Sequence, residues 1–167
     1  ADRLGPFPPW MGNQLIGKSL ELDTIRALDE ILSRYENIDY VIFAGDIDYH
    51  LQRTTAAIPI YEEFFNNISL EIKSNHPNVK IGNSISLENI INKDLIPNGN
   101  FELTPQLEMG DFIALSYTPT DILGDINRTP QEAIDEFKKA LEIFPSHKLA
   151  FFEISWSTSE SVSYTHL

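Results

Sequence analysis

The sequence predicts an α/β fold with a parallel sheet and outer helices. Two observations carry this. Short apolar runs rich in Val, Ile and Phe alternate with longer segments whose apolar residues recur at helical spacing. No tight hairpin signal joins consecutive runs, so the strands must pair in parallel through right-handed crossovers.

The first helix is marked by Leu22, Ile25, Leu28, Ile31, Leu32 and Tyr35, with Asp23 as its expected N-terminal cap and Asn37 beyond its end. "DYVIFAG" follows as a strand buried on both faces. Ile58, Tyr61, Phe64, Phe65, Ile68 and Ile72 form the buried stripe of a second helix, and "HPNVKIGNSIS" leads into a second strand starting at Val79 and Ile81. "SLENIINKDLI" reads as a short helix, and "PNGNFELTP" as a loop because of its Pro, Gly and Asn content. "DFIALSYTP" is the third strand. Thr129, Pro130 and Glu132 spell a capping box with proline at the first helical position, because the threonine oxygen and glutamate carboxylate can satisfy orphan N–H groups. Ala133, Ile134, Phe137, Ala140, Leu141 and Phe144 supply that helix's stripe, and "KLAFFEISW" is the fourth strand.

Composition narrows the partners. With 167 residues and 42% hydrophobic content the chain can bury a core. Twelve Lys plus Arg against 25 Asp plus Glu give a net charge of −13, which repels phosphate backbones, so no nucleic-acid partner is expected. No apolar run is long enough to insert in a membrane and "ADRLGPFPPW" has no leader pattern. The absence of cysteine excludes disulfides, iron–sulfur clusters and thiolate zinc sites.

In parallel α/β folds chemistry gathers at the carboxyl ends of strands. Those ends carry Asp46, Asp48 and His50, then Asn83 and Ser84, Ser116 and Tyr117, and Glu153 and Trp156, whereas the opposite ends carry ordinary loop residues such as Asn37 and Asn78. "VIFAGDIDYHL" is the sharpest case: an oily run ends in two carboxylates and an imidazole. A glutamate inside "LAFFEISW" is equally unusual, because a buried unpaired carboxylate is costly. Phe151, Phe152 and Ile154 are expected to desolvate Glu153. Trp10, Tyr49, Tyr117 and Trp156 are candidates for stacking on sugar faces. The structural alternatives are plain: Asp46 and Asp48 could cap a following helix or bind loop amides, Glu153 could be a structural ion-pair partner, His50 could be a loop hydrogen-bonder, and the aromatics could close the core.

"IDYVIFAGDIDYHL", "HPNVKIGNSIS", "GDFIALSYTP" and "LAFFEISWSTS", taken in order, resemble the fourth to seventh strands of retaining (β/α)8-barrel glycoside hydrolases, most closely the arabinogalactan endo-beta-galactanase group. The leading "LGPFPPWMGNQL" resembles the Pro/Trp loop before that group's third helix. The resemblance implies a partial TIM barrel over residues 1–160, a carbohydrate substrate, no cofactor and no metal. It implies Glu153 as nucleophile, Asp46 at the position of the acid/base glutamate and Asp48 where the family has asparagine, with Asp48, His50, Tyr49, Tyr117, Trp156 and Trp10 as substrate contacts. It also implies a bacterial protein that degrades polysaccharide outside the cell or in the periplasm.

A retaining glycosidase needs its two carboxyl groups roughly 5 to 5.5 Å apart. Asp46 is one methylene shorter than glutamate, and misplacement by about 1 Å can cost on the order of a hundredfold in rate. Two outcomes follow: a catalytically impaired carbohydrate-binding relative, or a wider gap of roughly 6.5 to 9.5 Å that admits water, as in inverting enzymes. A metallophosphoesterase is the weaker rival. "AGD" matches its Gly-Asp element, and Asp46, Asp48 and His50 would share one face of an extended chain, but "IGNSIS" lacks the histidine of a Gly-Asn-His element.

Four strands are half of a closed barrel, and open strand edges are what natural sheets avoid. Truncation is the expected reason. "SVSYTHL" resembles a translated sequencing adapter, so residues 161–167 are expected to be a non-native tail, and the four units alone to be unstable or aggregated and inactive.

Overall fold

The computed structural model describes residues 16–53, 55–91, 109–119 and 128–155. Trp10, Trp156, the leading Pro/Trp loop, "PNGNFELTP" and the 161–167 tail lie outside the described residues, as does the side chain of Tyr49.

The chain runs α1 (Lys18–Arg34), β1 (Tyr40–Ile42), α2 (Ile47–Arg53), a 3-10 turn (Thr55–Ala57), α3 (Ile58–Asn75), β2 (Lys80–Ser86), α4 (Leu87–Ile91), β3 (Phe112–Tyr117), α5 (Pro130–Ile143) and β4 (Leu149–Ile154). The four strands form one all-parallel sheet in the order β1-β2-β3-β4, curled into a half-barrel with helices outside. The α/β expectation with parallel crossovers therefore holds.

Alternation along each strand sorts the residues into two layers. Ile81 and Ile85 of β2 and Ile113, Leu115 and Tyr117 of β3 pack outward against Tyr61, Phe65, Ile68 and Ile72 of α3 and Ala133 and Ala140 of α5. The stripe of α3 is the one the sequence predicts. Gly82, Ser84 and Ser86 of β2 and Phe112, Ala114 and Ser116 of β3 point to the concave side. Gly82 has no room for a side chain there: a Cβ would stand 2.4 Å from the Phe112 carbonyl oxygen. Asp111 fastens the amino ends, taking Lys73 Nζ at 2.6 Å from α3 and the Ile81 amide at 2.9 Å.

The capping box of α5 forms as expected: Thr129 Oγ1 accepts from the Glu132 amide and Glu132 Oε2 accepts from the Thr129 amide at 2.7 Å. Two helices depart from the sequence reading. α1 begins at Lys18 with Gly17 at its cap, and Asp23 lies inside the helix beside Arg26. The reason is Glu21, which is buried in the first turn, paired with Lys18 and bonded by Asn67 of α3 at 3.1 Å. α2 is an additional helix, so Asp48, Tyr49 and His50 sit on helical turns instead of an extended chain.

The apolar stripes of the outermost helices are only half used. Leu32 is buried on α1, while Leu22, Ile31 and Tyr35 are exposed; on α5, Ile134 and Leu141 are exposed. Each of these helices packs against the half-barrel on one side only.

Candidate active site

The ladder between β1 and β2 continues past Ile42, since the Phe43 amide donates to Gly82 O at 2.9 Å and the Ser84 amide to Ala44 O at 3.1 Å. The chain then leaves the sheet through Gly45, and Asp46 takes a left-handed backbone with φ of 44°. Aspartate tolerates this region better than most side chains because its short polar group bonds locally. Ser84 Oγ accepts the Asp46 amide at 3.2 Å, and Ser116 Oγ donates to Asp46 Oδ1 at 2.6 Å. Ser84 Oγ lies 3.4 Å from the same oxygen, a weaker contact. The Asp46 carboxylate thus reaches across β2 to the end of β3.

Glu153 arrives at the same rim through an irregularity in β4. Leu115 pairs with Phe151 but Ser116 pairs with Glu153, so Phe152 is an extra residue in the strand. Phe151 points outward, its ring 4.8 Å from that of Phe137 on α5. In a regular strand Phe152 would oppose Ser116 and Glu153 would point to the helices. The bulge restores Glu153 to the side that Ser116 shares, a known use of bulges near functional groups. The expected desolvation of Glu153 is not found, because β4 is the edge of the sheet and Phe152, Glu153 and Ile154 are all exposed.

The other predicted residues separate. Asp48 is fully buried, its Oδ1 taking the Ser86 amide at 3.2 Å and its Oδ2 the Asn89 Nδ2 at 2.6 Å. Burial, and secondarily the charge of Asp46, push its carboxyl up to about 6. It ties α2 to the last strand amide of β2 and to the Asn89 side chain of α4. Tyr117 is enclosed between β3 and α5, its hydroxyl donating to Glu136 Oε2 at 2.6 Å and its ring 4.9 Å from Phe137. Arg128 completes this group by bonding Glu136 Oε1 at 2.7 Å. Tyr117 is therefore not brought to the concave side. His50 is half-buried on α2. Asn83 likewise faces the helices, accepting the Tyr61 hydroxyl.

Sequence reasoning missed Glu88. It follows β2 directly and is partly buried, its Oε2 accepting Ser86 Oγ at 3.0 Å and its Oε1 the Thr118 amide. It joins the ends of β2 and β3, and burial raises its carboxyl above the ordinary range. The available signal was a third acid just after an apolar run, masked by reading β2 as ending at Ser84.

No family model, curated protein or solved structure matches the chain. Among the described residues no three His, Asp or Glu side chains converge as a metal site requires, and no helix is long and apolar enough to cross a membrane. The two ends of the sheet differ in charge. Asp46, Glu88 and Glu153 stand at the carboxyl ends, whereas a recess of about 480 Å³ at the amino ends is lined by Lys80, Lys148 and Asp111 together with Tyr40 and Phe112, so that lysines accompany the acid there.

Proposed function

We propose that these residues belong to a glycoside hydrolase-like domain that cleaves the glycosidic bonds of a polysaccharide or oligosaccharide with two carboxyl groups, Asp46 and Glu153. The observation that carries this reading is the β4 bulge, which sets Glu153 beside Ser116 while the Ser116 hydroxyl holds Asp46. Two acids that follow or lie on non-adjacent strands thus stand at the carboxyl ends of one parallel sheet, the end where such folds do their chemistry. The four-strand resemblance supports the carbohydrate substrate and, with it, a TIM barrel, a bacterial source and action outside the cytoplasm. Trp10, Tyr49, Trp156 and His50 remain its proposed sugar contacts.

A second reading is a carbohydrate-binding relative that has lost turnover. The αL backbone and serine contacts of Asp46 favour it, since both draw an already short side chain back toward the sheet.

The test is hydrolysis of β-galactan, mannan and glucan oligosaccharides by the full-length protein, with calorimetric titration of the same sugars. Turnover abolished by Glu153→Gln is the expected result. Binding without turnover selects the second reading, and metal-dependent phosphatase activity with neither would discard both.

A further inference from the structure

We infer that a second copy of this chain closes the half-barrel. Two copies related by a half turn about the strand direction set β4 of each beside β1 of the other, giving one parallel barrel of eight strands. The inference concerns assembly and is independent of the sugar chemistry proposed above.

Three observations carry it. The first is where apolar surface is left over. Among the described residues twelve large apolar side chains are exposed, and ten of them lie on α1 and its carboxyl cap, β1, β4 and α5, the elements at the two ends of the arc. The other two, Ile60 and Leu70, lie on α3, and β2 and β3 have none. At about 200 Å² for a large side chain, ten that are half exposed leave on the order of 1,000 Å², against roughly 800 Å² per partner in a stable interface.

The second is stagger. β1 starts at Tyr40, level with the start of β2 at Lys80. β3 starts at Phe112 opposite Gly82, two residues further on than Lys80, and β4 starts at Leu149 opposite Ile113, one residue further on than Phe112. The starts thus advance by three residues across the arc. One more residue at the seam makes four for each copy and about eight around the ring, the shear of an eight-stranded parallel barrel. Because the strands are parallel and β1 and β4 are the two edges, the same half turn makes both seams and leaves no edge open.

The third is the fit at the seam. The one-residue step sets Tyr40 of one copy opposite Ala150 of the other. Tyr40 faces the concave side, its ring 5.5 Å from that of Phe112, and Ala150 faces the same side as the register partner of Ala114, so a large residue meets a small one. At the amino end of each seam stand Asp39 and Lys148, both exposed and opposite in charge. The charge of −13 on each copy opposes pairing, but at physiological ionic strength charges more than about 8 Å apart are largely screened. At the carboxyl rim, Glu153 of one copy then lies on the strand next to the one that leads to Asp46 of the other.

The 167-residue chain has no cysteine, so a pair introduced as Tyr40→Cys with Ala150→Cys reports the seam alone. The two positions stand on opposite edges, three strands apart, and cannot bridge within one chain. On oxidation the covalent product is expected to stop at two chains, since the ring is closed; a ladder of larger products, or single chains only, would overturn the inference. A second measurement leaves the core untouched. Asp39→Lys or Lys148→Glu alone should weaken dimerisation by roughly tenfold, and mixing the two variants should restore it, because each seam then carries opposite charges again. Sedimentation equilibrium that shows the mixture no tighter than either variant alone would count against this seam.

Discussion

Ser116 on β3 is the register partner of Glu153 on β4 and, through its hydroxyl, the anchor of Asp46 from β1. One small side chain thus bonds one acid and sits in register with another that lies 107 positions away in the sequence. Ser116→Ala removes a hydrogen bond to a charged acceptor, worth about 1.5–3 kcal/mol. The expected result is a fall in kcat of roughly ten- to a hundredfold with KM little changed, and recovery with Ser116→Thr. An unaltered kcat in the alanine variant would show that Asp46 needs no such anchor.

The bulge makes a sharper prediction. Deleting Phe152 would join Phe151, opposite Leu115, directly to Glu153, opposite Ser116, giving a regular strand with Glu153 on the same side as before. Turnover or sugar binding should survive the deletion. In a strand with no bulge the same deletion would slip every following side chain to the other face. Loss of function in a variant that remains folded by circular dichroism therefore counts against the bulge.

Much of the scaffold was legible because its signals are local. Ile58 to Ile72 keep one uninterrupted stripe, and Thr129, Pro130 and Glu132 specify a helix start without help from other segments. α2 was not legible. Its helical signal is little more than Ile47 and Leu51, four residues apart and both buried, set among polar residues that read as a strand tip. Likewise, nothing local distinguishes Phe151, outward on Phe137, from Phe152, the extra residue of the bulge. The site depended on that distinction, since only pairing with β3 decides which way Glu153 points.

Asp48 links stability to pH. Its folded carboxyl titrates at about 6, above the ordinary 3.8, so between these values the folded state holds the proton that the unfolded chain has released. Its contribution is fully present below pH 3.8 and is lost as pH rises through about 6, an effect of order 3 kcal/mol for a shift of about two units. Glu88, also raised by burial, adds to the slope with the same sign. Asp48→Asn should flatten the dependence of the urea midpoint on pH between 4 and 7, with Asn89 turning its amide to present an oxygen. A midpoint that still falls as steeply in the variant would locate the effect elsewhere.

Tyr117 separates a structural role from a substrate role. Tyr117→Phe leaves Glu136 with Arg128 but without the phenolic donor, at a cost of about 1.5–3 kcal/mol for a bond to a charged partner. Thermal unfolding should shift down by several degrees while sugar affinity stays constant. Weaker sugar binding at unchanged stability would instead put the hydroxyl in contact with substrate.

Among the described residues both edges of the sheet, β1 and β4, are open. At one edge Tyr40 is 65% exposed; at the other Phe152 is 41% and Ile154 56% exposed, beside strand backbones that have no neighbouring strand on that side among the described residues. Such edges recruit other strands. Tyr40 and Phe152 add apolar surface that water wets at a cost of about 25 cal/mol per Å². The 167-residue chain expressed alone should therefore self-associate, with sedimentation velocity showing species heavier than one chain at micromolar concentration. A lysine at the edge is the usual means of blocking such pairing. Tyr40→Lys combined with Phe152→Lys should shift the distribution toward the single chain without melting α3, whose stripe packs on the far side of the sheet. A wild-type chain that sediments as one species of 19.0 kDa would mean that these edges do not attract partners.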